Sequence, residues 1–151
     1  VKPQGLININ LAECQIGAGG ATAVAKALKE IKPQGLTHFS MAKNPIGLDG
    51  TKAVVGAIKE TKVPLTDLNL SGIGMGDDGA TAVAEALRDL KGMGELGLNE
   101  NKISDSGATA IAEALTAAKP EGLRTLDLGP KYRPTEDTNT IGDRGAIALA
   151  E

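Results

Sequence analysis

The chain has 151 residues, 41% hydrophobic and only 1% aromatic, with a formal net charge of −3. That balance offers no cationic field for nucleic acid, and no apolar run reaches the ~20 residues of a helical membrane span. A single cysteine, Cys14, excludes an internal disulfide and fits a reducing compartment, so an intracellular, cytoplasmic setting is expected.

The first strand signal is the apolar triplet Leu6/Ile9/Leu11. A helix over 19–31 follows, and Lys32-Pro33-Gln34-Gly35 stops it and turns the chain. The second unit repeats the sentence with Leu36/Phe39/Met41 and a helix over 49–60, diluted by Thr51 and Gly56. In the third, Leu68 and Leu70 lie two apart and share an inward strand face, while Asp67, Asn69 and Ser71 point the other way. Its helix, over 78–90, buries Ala80, Val83, Ala84 and Leu87 at i, i+3, i+4 and i+7. Asp77, matched by Asp105 and Asp143 in later units, is placed to cap the first amides of its own helix. The fourth unit pairs Met93/Leu96/Leu98 with a helix over 106–118, closed by Lys119-Pro120-Glu121-Gly122. The fifth pairs Leu123/Leu126/Leu128 with a helix beginning at 144–151.

The glycines opening the helices fall at Gly20, Gly50, Gly79, Gly107 and Gly145, spaced 30, 29, 28 and 38 residues apart. A period near thirty predicts a solenoid of stacked units in which each contacts only its neighbours. The units run over about 6–35, 36–64, 65–92, 93–122 and 123–151. VKPQGL at 1–6 nearly copies IKPQGL at 31–36, and GAIALAE at 145–151 stops short, so an array cut at both ends is expected. Parallel strands pack about 4.8 Å apart and helices about 8–10 Å apart. Stacking both in register bends the array with its strands on the inside.

Leu36-x-x-Phe39-x-Met41-x-x-Asn44-x-Ile46 and Met93-x-x-Leu96-x-Leu98-x-x-Asn101-x-Ile103 carry a family pattern. The chain resembles the leucine-rich repeats. GATAIAEAL at 107–115 and IGDRG at 141–145 look like the ribonuclease-inhibitor-like subfamily. The resemblance implies an α/β leucine-rich-repeat solenoid, a βα horseshoe with parallel strands on the concave face and helices on the convex face. It also implies a use in binding proteins. At the family's turn-bonding asparagine the chain holds Cys14, Asn44, Ile73, Asn101 and Asn139. Cys14 is expected at a buried ladder site. Ile73 cannot make the bond, so the third repeat's turn should rest on its glycines or be looser.

No motif for catalysis, metal or cofactor outweighs its structural reading. Gly74-x-Gly76-x-x-Gly79 has the form of a dinucleotide loop, but it occupies the ordinary repeat turn, and Asp77 and Asp78 would repel a pyrophosphate. Asp67-x-Asn69-x-Ser71 mimics part of a calcium loop, yet these are alternate positions on a straight strand. His38 and Cys14 stand on different repeats with no nucleophilic partner, and no Cys/His cluster has zinc spacing. No catalytic, cofactor or metal residue is therefore assigned.

The candidate protein-binding residues are the concave positions Asn8, Asn10, Glu13, His38, Ser40, Lys43, Asp67, Asn69, Glu95, Asn99, Glu100 and Asp127. Ser71 and Thr125 lie among them. Glu13, Asp67, Glu95, Glu100 and Asp127 face the single base Lys43, which favours a partner with a basic surface. A second candidate is an insertion. Leu128 to Gly145 is 17 positions where Leu98 to Gly107 is 9, and the excess carries Lys131, Tyr132 and Arg133 between Pro130 and Pro134. Tyr and Arg are favoured at binding hot spots. The leading functional reading is a non-enzymatic protein-interaction or scaffold module. The alternative is a GTPase-activating module resembling the Ran GTPase-activating protein, although the acidic segment that follows the repeats in those relatives is not seen in this sequence.

Overall fold

The computed structural model describes residues 5–130 and 133–150. Five strand–helix units follow one another: β1 (Asn8–Asn10), α1 (Ala18–Ile31), β2 (His38–Ser40), α2 (Gly47–Thr61), β3 (Asp67–Asn69), α3 (Gly76–Leu87), β4 (Glu95–Gly97), α4 (Asp105–Ala118), β5 (Thr125–Asp127) and α5 (Asp143–Ala150). The strands form one parallel sheet in sequence order, β1-β2-β3-β4-β5. Each helix packs only on its sequence neighbours, as a solenoid requires.

The register produces three rows across the sheet. Ile9, Phe39, Leu68, Leu96 and Leu126 form the central row. Phe39, Leu68 and Leu96 are buried, because the middle residue of each strand points at the helices. Asn8, His38, Asp67, Glu95 and Thr125 form one flanking row, and Asn10, Ser40, Asn69, Gly97 and Asp127 the other. Burying one such Leu or Phe is worth roughly 1.5–3 kcal/mol, so the inward row and the triplets around it dominate the core energy.

The periodic glycine marks where one helix meets the next. A Cβ on Gly107 would lie 3.0 Å from Ala80 Cβ, and one on Gly145 3.0 Å from Ala108 Cβ. Gly50 stands in the same relation to Ala21. Each glycine therefore faces the residue just after the glycine of the preceding helix, and the missing methyl sets the helix spacing.

Four expectations are corrected. α3 ends at Leu87, not near residue 90, because the amides of Asp89 and Leu90 bond back three residues to Ala86 and Leu87 in a tighter turn. Cys14 is exposed, not buried at a ladder site. The ladder residue reaches backward onto the preceding turn, so the bonds along the first turn come from Asn44, whose Oδ1 accepts from the Cys14 and Ile16 N–H groups at 3.1 and 2.9 Å. For the same reason the third turn is not the one that Ile73 leaves unclamped. Asn101, buried in the fourth repeat, accepts there from the N–H groups of Ile73, Gly74 and Met75. The missing side-chain clamp falls on the second turn, where the backbone contact of Gly47 N–H with Ile73 O remains at 2.9 Å. Finally, Asp77 does not cap α3. Its carboxylate accepts from the N–H of Ser104 and Gly107 at 2.8 and 3.0 Å and from the Ser104 hydroxyl at 2.6 Å, so it caps α4.

Candidate functional site

The flanking rows and the turns beyond them carry the predicted concave residues. Asn8, Asn10, His38 and Glu95 are exposed on the strands, and Ser40, Asp67, Asn69 and Asp127 are half-buried there. Glu13, Lys43 and Glu100 stand past the strand ends, in left-handed turn conformation at φ of 58°, 55° and 57°. They line a rim rather than the strand face. Asn99 is 1% exposed, so it presents no surface to a partner directly. The turn folds over it, and its backbone carbonyl accepts from Gly72 N–H.

The structure redistributes the charge that the sequence suggested. Lys43 Nζ lies 3.1 Å from Glu13 Oε1, so one acid and the one base of the set neutralise each other. His38 Nε2 lies 3.2 Å from Asp67 Oδ2, and the Thr66 hydroxyl bonds the same carboxylate. Asp67, Glu95 and Asp127 remain as the acidic part of the face, on three consecutive strands. Among the described residues no Lys or Arg pairs with any of the three.

Gly97 interrupts the polar row between Asn69 and Asp127. A Cβ there would fall 2.8 Å from Asn69 Oδ1 and 3.0 Å from Ser71 Oγ. The missing side chain leaves a notch of about 140 Å³, bordered by Asp67, Asn69, Ser71, Glu95 and Asp127. Ser71 Oγ is buried and has no hydrogen-bond partner, and neither does Asn99 Oδ1 on the next repeat. Neither orphan oxygen nor the notch is legible in the sequence. The only available signal is that repeat four has glycine where its neighbours carry Asn, Ser or Asp.

The dinucleotide-like glycines have a structural job. Gly74 and Gly76 adopt φ of 73° and 62°. The turn amides that would cradle a phosphate already donate to Asn101 Oδ1. Among the described residues, no group of His, Cys, Asp or Glu is arranged to hold a metal ion.

The insertion sits at the far rim. Its second half is pinned to the fourth turn: Lys102 N–H donates to Asp137 O at 3.0 Å, and Lys102 Nζ lies 3.0 Å from Asp137 Oδ1. The side-chain bond to Asp137 and its charge raise the Lys102 pKa. Asn139 closes the loop as a ladder residue, accepting from Asn101 and Ile103 N–H. Arg133 is exposed on it. Lys131 and Tyr132 lie outside the described residues.

Another surface groove is on the opposite, convex side, between α2 and α3. It holds about 470 Å³ and opens because Gly56 has no side chain to fill it. Lys52 and Lys59 face Asp78 and Glu85 across it, so it carries no net charge preference.

A family model for the leucine-rich repeat matches residues 63–84, 95–112 and 138–150. Over those stretches the chain is similar to leucine-rich repeats. The matched stretches fall in the third, fourth and fifth strand–helix units, and the five parallel strands alternating with helices are consistent with a leucine-rich-repeat solenoid of the α/β type. Leucine-rich repeats generally mediate protein–protein interaction and are typically non-enzymatic. No curated protein matches the chain.

Proposed function

We propose that this leucine-rich-repeat array is a non-enzymatic interaction or scaffold module that binds a protein with a basic surface through the concave face of repeats three to five. The observation that carries the reading is the internal pairing of Lys43 with Glu13, which leaves the acids of Asp67, Glu95 and Asp127 on three consecutive strands. Charge of this kind raises association rates and is screened by salt. The insertion at the rim, with Arg133, Tyr132 and Lys131, is a second contact for the same partner. The small alanine-rich helices, a core with Phe39 as its one phenylalanine and the GATAIAEAL segment support placement near the ribonuclease-inhibitor-like subfamily. No observation favours the GTPase-activating alternative.

The test is affinity capture of binding proteins, followed by quantitative measurement with the protein recovered. Reversal of Asp67 and Asp127 to lysine should weaken binding at least about tenfold and flatten its salt dependence. A partner whose affinity ignores both the reversal and the salt would sink the reading. Joining Gly129 to Thr138 tests the insertion separately, since an unchanged affinity makes the loop passive.

A further inference from the structure

We propose that the notch over Gly97 is a subsite for one arginine side chain of a protein partner, with Asp67, Glu95 and Asp127 around it and Ser71 Oγ at its floor. The inference rests on the protein-interaction reading above and names the group that this face selects.

Three observations converge. The first is space. The row Asn10, Ser40, Asn69, Gly97, Asp127 lacks a side chain only at Gly97, and the cavity there, about 140 Å³, holds the end of one side chain and no more. The second is an unmet hydrogen bond. Ser71 is 6% exposed, its Oγ has no partner, and it stands 3.0 Å from where a Gly97 Cβ would sit. A buried oxygen left unpaired is costly and rare, and a donor entering the notch removes that cost. The third is charge. The two carboxylates of Glu95 and Asp127 flank the opening, Asp67 borders it, and among the described residues no Lys or Arg pairs with them.

The notch lining offers the carboxylate oxygens of Glu95 and Asp127 and the unpartnered Ser71 oxygen as acceptors, while Asn69 Oδ1 already accepts from Ser71 N–H at 3.1 Å. A guanidinium carries five donors in a flat fork and no acceptor, which matches that set. Acceptors on three adjacent strands are spread over about 10 Å. A planar fork reaches several of them at once, where an ammonium concentrates its donors at one nitrogen.

The probe is the peptide acetyl-Gly-Arg-Gly-amide, titrated into the ¹⁵N-labelled chain and followed by NMR. Its citrulline counterpart has the same shape without the charge. Saturable shifts at the Ser71, Gly97 and Asp127 amides are expected with the arginine peptide and not with citrulline. Gly97→Ala fills the notch and should weaken the dissociation constant about tenfold or more. Glu95→Gln, an exposed and isosteric change, should weaken it similarly. The spectrum of each variant reports its own folding. Equal shifts from the citrulline peptide, or no saturable shift at all, would overturn the subsite. So would a dissociation constant that Gly97→Ala leaves within twofold. If Gly97→Ala is silent while Glu95→Gln still weakens binding, the acidic face attracts cations without the notch. That result overturns the subsite and leaves the interaction reading standing.

Discussion

The carboxylate of Asp77, in α3, accepts a hydrogen bond from the backbone N–H of Gly107, in α4, at 3.0 Å. The same device recurs one repeat later, where Asp105 Oδ1 accepts from Gly142 and Gly145 N–H at 2.8 and 2.9 Å. An aspartate in the first turn of one helix thus caps the next helix. The orphan amides of a helix start are satisfied across the repeat boundary, so the cap also couples neighbouring units.

Replacing Asp77 with alanine should lower stability by about 1 kcal/mol, in the range for lost caps. Burial desolvates this carboxylate and pushes its pKa up, but bonds from the Ser104 hydroxyl and the Ser104 and Gly107 amides outweigh that and hold it below 3.8. The folded value lies below the unfolded one. The stabilisation is therefore present above pH 3.8 and is lost as pH falls through the lower folded value. Urea unfolding of the wild type and Asp77→Asn at pH 7 and pH 3 checks this. The gap between them should shrink at pH 3, and a gap that widens there is inconsistent with the cap.

Asn101 has 0% exposure and ties the third and fourth turns together, donating from Nδ2 to Leu70 O and Leu98 O at 2.7 and 3.1 Å. Asn101→Ala leaves the amides of Ile73, Gly74 and Met75 without their acceptor and should cost about 3 kcal/mol or more. Hydrogen exchange should show those three amides opening first. Protection unchanged at all three would show that the ladder bond is dispensable.

Two glycine-to-alanine changes should move stability in opposite directions. Gly56 lies within α2 with nothing within 4 Å of its added Cβ, so Gly56→Ala should stabilise by about 0.5–1 kcal/mol. A Cβ on Gly107 would meet Asp77 Oδ1 at 2.6 Å and Ala80 Cβ at 3.0 Å. Gly107→Ala should destabilise by about 1–3 kcal/mol through overpacking and a displaced cap. Thermal melts of both, read against the wild type, decide whether the periodic glycine is a packing requirement.

Ile7 and Ile147, 58% and 59% exposed, are the large apolar side chains left in solvent among the described residues, and they lie in the first and last repeats. Exposed large apolar side chains favour association, so the chain should self-associate with rising concentration through Ile7 and Ile147. Light scattering coupled to size exclusion should show the average mass falling toward the monomer in Ile7→Ser/Ile147→Ser. A wild-type monomer at every concentration would contradict the prediction.

Much of the architecture is legible in particular residues. Leu68 and Leu96 lie in parallel register because every unit presents the same triplet at the same spacing, and equal units stack most simply in register. Helix starts are readable from the periodic glycine for the same reason. The acidic identity of the face is also readable, since alternation on a three-residue strand assigns Asp67, Glu95 and Asp127 to the side away from the core.

The sequence by itself determined the period, the strand and helix order, and which face of each strand carries charge, because these depend on local spacing repeated five times. Tertiary structure decided every relation that crosses a repeat boundary. Only the stacking shows that Asn44 and Asn101 clamp the turn before their own, that Asp77 caps the helix after its own, and that Lys43 is held by Glu13. The notch at Gly97 belongs to the same class. It exists because Asn69 and Ser71, from the preceding repeat, close around a missing side chain, and a contact between residues nearly thirty positions apart has no local signature.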